Sequence, residues 1–219
     1  MRAGIVRFPG TSGEQGLQEC FAQLGCAVDI LWHTETNLGE IDLLVIPGGA
    51  PFGNYIRPGA LARLSPVREA ALAFAQRGGL VLGTGSGFHV LTEWGLLPGV
   101  LVANPSLRYQ CQVELVQVER ADTLFTSLWA PGEILKLRIS TAHGCFQLPH
   151  EELQELEGRG QVVFRYVNCP NDSVGGAAGI MNEAGNVLGI LPQPGHSPDG
   201  ERLLRSIVYS VERRMSHGA

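Results

Sequence analysis

Short apolar runs alternate along this chain with stretches in which apolar residues recur every three or four positions, the signatures of buried strands and amphipathic helices in turn. Residues 4–8 form the first run, followed by a glycine-rich turn and a helix whose apolar face holds Leu17, Cys20, Phe21 and Leu24. Runs at 27–32 and 43–46 predict the next two strands, the second closed by Pro47-Gly48-Gly49. A helix is predicted over 61–77, with Leu64, Val67, Ala71 and Phe74 on its apolar side, and a strand over 79–82. Residues 100–119 and 133–142 alternate apolar and polar positions instead, which predicts antiparallel pairing. Strands at 162–166, 178–181 and 187–191 and a helix near 200–215 complete the pattern. Strands separated by helices imply an α/β fold: a mostly parallel central sheet with helices on both faces, a small antiparallel extension, and ligands at the carboxyl ends of the strands.

Composition narrows the classes of function. With 219 residues, 44% of them hydrophobic, the chain is long enough for one well-buried core, and a single domain spanning 1–219 is expected. A net charge of -5 without a dense basic run argues against nucleic acid or an anionic membrane as the main partner. No apolar stretch approaches a membrane span, and the start enters a strand without a signal-peptide pattern, so a cytoplasmic location is expected. The five cysteines are odd in number and lack CxxC spacing, which suits reduced thiols; no metal site and no cofactor are expected.

The segment 81–89, Val-Leu-Gly-Thr-Gly-Ser-Gly-Phe-His, reads as a strand turning sharply into a helix with Gly85 at the tip. In a nucleophile elbow, Gly-x-Nuc-x-Gly, the outer glycines, here Gly83 and Gly87, let strand and helix pack closely while the central side chain projects into the site. Gly85 offers only hydrogen there. The tip residue takes a strained backbone that glycine relieves, so a chain freed from hydrolysis gains stability by carrying glycine at that position. Backbone N–H groups of Gly83–Gly87 remain able to meet an anion at the helix start. A second glycine-rich turn, Gly10 to Gly16, follows the first strand with Asp29 further on, but its spacing is GxxGxxG where a dinucleotide loop has GxGxxG.

The order of several segments resembles the glutaminase subunit of phosphoribosylformylglycinamidine synthase, a class I glutamine amidotransferase family of purine biosynthesis. Residues 7–10, Arg-Phe-Pro-Gly, and 32–35, Trp-His-Thr-Glu, match its first two strand ends. Residues 47–60, PGGAPFGNYIRPGA, are similar to the family's PGGFSYGDYLRAGA loop. The runs at 91–99, 142–144, 163–166 and 185–189 continue the likeness over nearly the whole chain. The resemblance implies a class I amidotransferase-like, flavodoxin-like fold.

It also implies where the chemistry should be. Glutamine hydrolysis in the family uses a thiolate, an imidazole that moves its proton and a carboxylate that orients the imidazole. The family's GxCNGFQ elbow corresponds to residues 83–89, which puts Gly85 at the thiol position; its HPE segment corresponds to Gln193-Pro194-Gly195, an amide and a hydrogen at the other two. By the same resemblance Gly49, Ala50, Ser86 and His89 outline a vestigial oxyanion hole or ligand pocket, and Phe52, Tyr55, Arg57, Tyr109 and Cys111 a partner surface. Local substitutes for the nucleophile are Ser86, one residue past the tip, and Cys145 beside His143; packed or solvated roles are the alternatives for these, for His89 and for His196. The implied function is a subunit without glutaminase activity of its own that docks to a large ATP-consuming synthetase subunit with a small accessory subunit. The competing expectations are an active glutaminase with a rearranged site, and a free-standing module that binds glutamine or another small ligand.

Overall fold

The computed structural model describes residues 1–195 and 197–217. Strand β1 (Arg2–Arg7) leads through a tight turn into helix α1 (Glu14–Gln23), which buries Leu17, Cys20 and Phe21, and on to β2 (Ala27–Trp32). Strand β3 (Leu43–Ile46) is fully buried, as its unbroken Leu-Leu-Val-Ile run requires. Helix α2 (Val67–Gln76), β4 (Leu80–Thr84) and α3 (Ser86–Glu93) follow, then β5 (Val100–Val102), β6 (Gln110–Val118), β7 (Ile134–Thr141) and β8 (Cys145–Gln147). The remaining elements are α4 (His150–Gly158), β9 (Val162–Tyr166), β10 (Ala177–Met181), β11 (Val187–Ile190) and α5 (Pro198–His217).

One sheet runs in the order β2-β1-β3-β4-β11-β10-β9-β6-β7, with β5 and β8 pairing as a separate antiparallel ribbon. The pairings from β2 to β11 are parallel and those from β11 to β7 antiparallel. The expected antiparallel extension therefore grows from the main sheet itself. The chain steps from β1 to β2 through α1 and, in the opposite direction, from β3 to β4 through α2; right-handed crossovers put those helices on opposite faces. In the antiparallel half, α5 packs on β7, over the face of Leu135, Leu137 and Ile139.

Two predicted boundaries are corrected. The helix expected over 61–77 is a short 3-10 turn at Ala60–Leu64 followed by α2, because Pro66 interrupts the ladder and Ser65 takes the extended backbone favoured before proline (ψ 131). The strand expected from 100 splits: β5 leaves the main sheet, and Asn104 to Tyr109 form a loop before β6. Helix α4 and strand β8 were not anticipated.

Candidate active-site cavity

The predicted elbow is present. Strand β4 ends at Thr84, Gly85 turns at φ 56°, ψ -120°, and α3 begins at once. Gly85 donates to the Ile190 carbonyl (3.0 Å) and accepts from the Phe88 N–H (3.1 Å), so both neighbouring strand and helix fix it. The outer glycines are sterically required: a Cβ on Gly87 would overlap the Ile46 carbonyl, and one on Gly83 would meet Leu91 and the Gly87 carbonyl. A Cβ on Gly85 would meet the Gln193 amide nitrogen at 3.0 Å and the Gly48 Cα at 3.3 Å. Gln193 is held there by its own backbone, whose N–H donates to the Arg138 carbonyl of β7 (2.8 Å). A Cβ on Gly195 would meet open space.

Above the elbow lies a cavity of about 360 Å³, lined by Gly49, Ala50, Asn54, Ser86, His89, Tyr109, Ser140, His143 and Gln193 among others. The expected pocket residues Gly49, Ala50, Ser86 and His89 are thus brought together with Gln193. The Ala50 N–H is already spent on the Gly10 carbonyl (2.8 Å). The Ser86 N–H belongs to the first turn of α3, where no intrahelical acceptor exists. The Ser86 hydroxyl and the Asn54 side-chain amide oxygen (Oδ1) are buried without a hydrogen-bond partner.

His89 is 3% exposed, and burial, with His143 close by, pushes its pKa down to about 3. It is a neutral imidazole at physiological pH. The loop that carries His143 is clamped by buried amides: Asn104 donates to the carbonyls of Arg108 (2.9 Å) and Thr141 (3.0 Å) and accepts from the Gly144 N–H (2.8 Å). Asn171 donates to the Gly144 carbonyl (2.8 Å). At the mouth, the Tyr109 and Ser140 hydroxyls share a hydrogen bond of 2.6 Å.

The local substitutes fare differently. Cys145 does not join His143 in the cavity: its thiol is buried against the Asp172 carbonyl (3.4 Å), and burial raises its pKa. His196 lies outside the described residues. The Gly10 turn spends its donors internally, since Ser12 and Gly13 both donate to the Gly48 carbonyl (3.3 and 3.0 Å), and Asp29 pairs with Arg2 (3.0 Å). That leaves the dinucleotide reading without free phosphate donors at Ser12 and Gly13.

Of the expected partner surface, Tyr55 (76% exposed), Tyr109 (64%) and Cys111 are outward. Arg57 is exposed but held by Glu93 (2.6 Å). Phe52 is half-buried and packs on Phe8 and His33, with centroids 5.9 and 5.1 Å away. Its loop is unusual in carrying Phe52, Asn54 and Ile56 at φ of 54°, 55° and 70°. Asn54, Ser140 and the Asn104–Asn171 clamp were not singled out from sequence; the only hint at Asn54 was an amide where the family loop has Asp.

A strand-elbow-helix at the centre of such a sheet fits a glutamine amidotransferase fold, and a family profile of CobB/CobQ-like glutamine amidotransferase domains matches residues 1–205. The chain belongs to that family. Within it the chain is similar to phosphoribosylformylglycinamidine synthase subunit PurQ: that of Synechococcus elongatus is 43% identical over 213 residues, covering 97% of this chain and 94% of the relative. PurQ of Thermomicrobium roseum is 42% identical over 234 residues, 99% of each chain. Among solved structures, PurLQS from Thermotoga maritima superimposes with a TM-score of 0.88 at 31% identity, over 95% of this chain and 97% of the other.

Proposed function

We propose that this chain is a PurQ-like subunit that has given up glutamine hydrolysis and serves a phosphoribosylformylglycinamidine synthase assembly as a docking subunit. The observation that carries the reading is the elbow: Gly85 presents no atom that can form a thioester, and the Gln193 carboxamide packs beside the place where its side chain would start. An amide has no basic lone pair for the proton that an imidazole would take, and Gly195 has no carboxylate to orient one. The local substitutes named from the sequence do not restore the pair: His89 is too weak a base once desolvated, and the Cys145 thiol is turned to the Asp172 carbonyl, away from the cavity.

In this reading the whole chain, 1–219, works as one domain in the cytoplasm, without cofactor or metal. Its partners are a large ATP-consuming subunit and a small accessory one, as the PurLQS assembly of the Thermotoga maritima relative suggests. The partner surface includes Tyr55, Arg57, Tyr109 and Cys111 around the cavity mouth. A second reading, a small-ligand module, draws support from the preserved cavity, beside which the Ser86 hydroxyl and the Asn54 side-chain oxygen are buried without a partner.

Ammonia release from glutamine, measured for the chain alone and with the ATP-consuming subunit of the same organism, tests the proposal. We expect no release above a no-enzyme control in either case. Glutamine turnover that survives removal of contaminating glutaminases overturns it, and an isolated chain that binds no such subunit but is thermally stabilised by a small ligand favours the second reading.

A further inference from the structure

We infer that the outer face of strands β9, β6 and β7 is a docking surface for an amphipathic, acidic-flanked helix of another chain; the inference rests on the proposed docking role. Strand register fixes the face. Cys111, Val113, Leu115 and Gln117 of β6 stand opposite Ser140, Arg138, Lys136 and Ile134 of β7, and Val167, just past β9, donates its N–H to the Leu115 carbonyl. Directly opposed residues project to the same side. Val113, Leu115, Ile134 and Val167 are 58%, 38%, 47% and 42% exposed, an apolar stripe crossing three strands. On the other side of the same strands Val116, Leu135, Leu137 and Ile139 are completely buried.

Helix α4 meets the same face at β9 through the ion pair of Glu157 with Arg165 (2.6 Å) and is not among the elements packed on β6 or β7. Two strands span about 10 Å, the width of one helix. The bare strip therefore has the breadth of a single missing helix in the layer that α4 begins. Charge sets the kind of helix. Lys136 and Arg138 flank the stripe, and no carboxylate among the described residues lies within ion-pair distance of either, in a chain whose net charge is -5.

Other occupants fit less well. A second copy, paired about a two-fold axis, sets Lys136 and Arg138 against themselves or lays the outward Glu151 and Glu152 of α4 on the apolar stripe. Strand addition at β7 is blocked as well, because the Lys136 N–H is taken by Asp199 (2.7 Å) and the Arg138 carbonyl by Gln193. The face is what remains.

The test is binding of the full chain to the ATP-consuming subunit of the same organism, by calorimetry and by hydrogen exchange of 112–118 and 134–139. Two variants accompany it, Leu115→Ser and the pair Lys136→Glu with Arg138→Glu, all at exposed positions and each checked for an unchanged melting profile. We expect slowed exchange in both segments on binding, and affinity weakened about tenfold or more by each variant. Wild-type binding with full affinity in both variants and unchanged exchange in these segments overturns the inference and leaves the docking role standing. Absence of any wild-type complex removes both.

Discussion

Replacing Gly85 by alanine or cysteine isolates the energetic reason for glycine at the elbow. The residue sits at φ 56°, ψ -120°, where an L side chain costs roughly 1–3 kcal/mol, while losing a glycine returns about 0.4–1 kcal/mol by stiffening the unfolded chain. The net cost is about 1–2 kcal/mol, which for a chain of this size lowers the melting temperature by roughly 2–8 °C. The Gln193 amide, 3.0 Å from the new Cβ, adds a smaller penalty because a flexible side chain can give way. Repeating Gly85→Ala in a Gln193→Ala background separates the two: the backbone penalty persists and the contact penalty disappears. Urea denaturation measures both, with Gly195→Ala as a control that should stay within about 0.5 kcal/mol, since its Cβ meets open space. Unchanged stability of Gly85→Ala, or a cost that vanishes in the Gln193→Ala background, refutes the strain argument. Gly85→Cys should restore no glutamine turnover until Gln193→His and Gly195→Glu are added, because triad members act as a unit; efficient hydrolysis by the single variant shows that another base is in place.

Other outcomes follow from buried groups. His89, pushed down to about 3 in the folded chain, binds its proton in the unfolded chain first, so stability is complete above about pH 6.5 and declines as pH falls from there towards 3. Unfolding free energies at pH 7 and pH 5 should differ less in His89→Gln than in the wild type, and an equal difference refutes the assignment. Asn104→Ala leaves the Arg108 and Thr141 carbonyls and the Gly144 N–H without their partner and should cost about 2–4 kcal/mol in denaturant titration. A loss below 1 kcal/mol would mean that water replaces the amide.

Much of the fold was legible because it rests on runs that allow one environment only. Leu43 to Ile46 has no polar position to turn towards solvent, and the strand is completely buried as its pattern demands. The elbow was legible for a steric reason, since only glycine fits at 83 and 87. Helix α4 was not, because Leu153 and Leu156 are its only buried residues and the rest of its surface is polar. The helix that periodicity predicts over 61–77 breaks at Pro66, which cannot donate the ladder bond. The cavity was half legible: Gln193, Ser86, His89 and His143 come from motifs, whereas Asn54 and Ser140 join them only when β7 and the loop after β3 are brought over α3. Contacts between segments that far apart have no local pattern to read.

The loop at 52–56 holds a lesson about what stability selects. Ile56 is β-branched, sits at φ 70° and leaves its side chain 77% exposed, so it strains the backbone while burying almost nothing. A glycine or asparagine there would make the isolated chain more comfortable. In the proposed docking role, the advantage of isoleucine at 56 would be collected outside the folded chain, on the partner surface around the cavity mouth, where a buried side chain offsets the backbone strain.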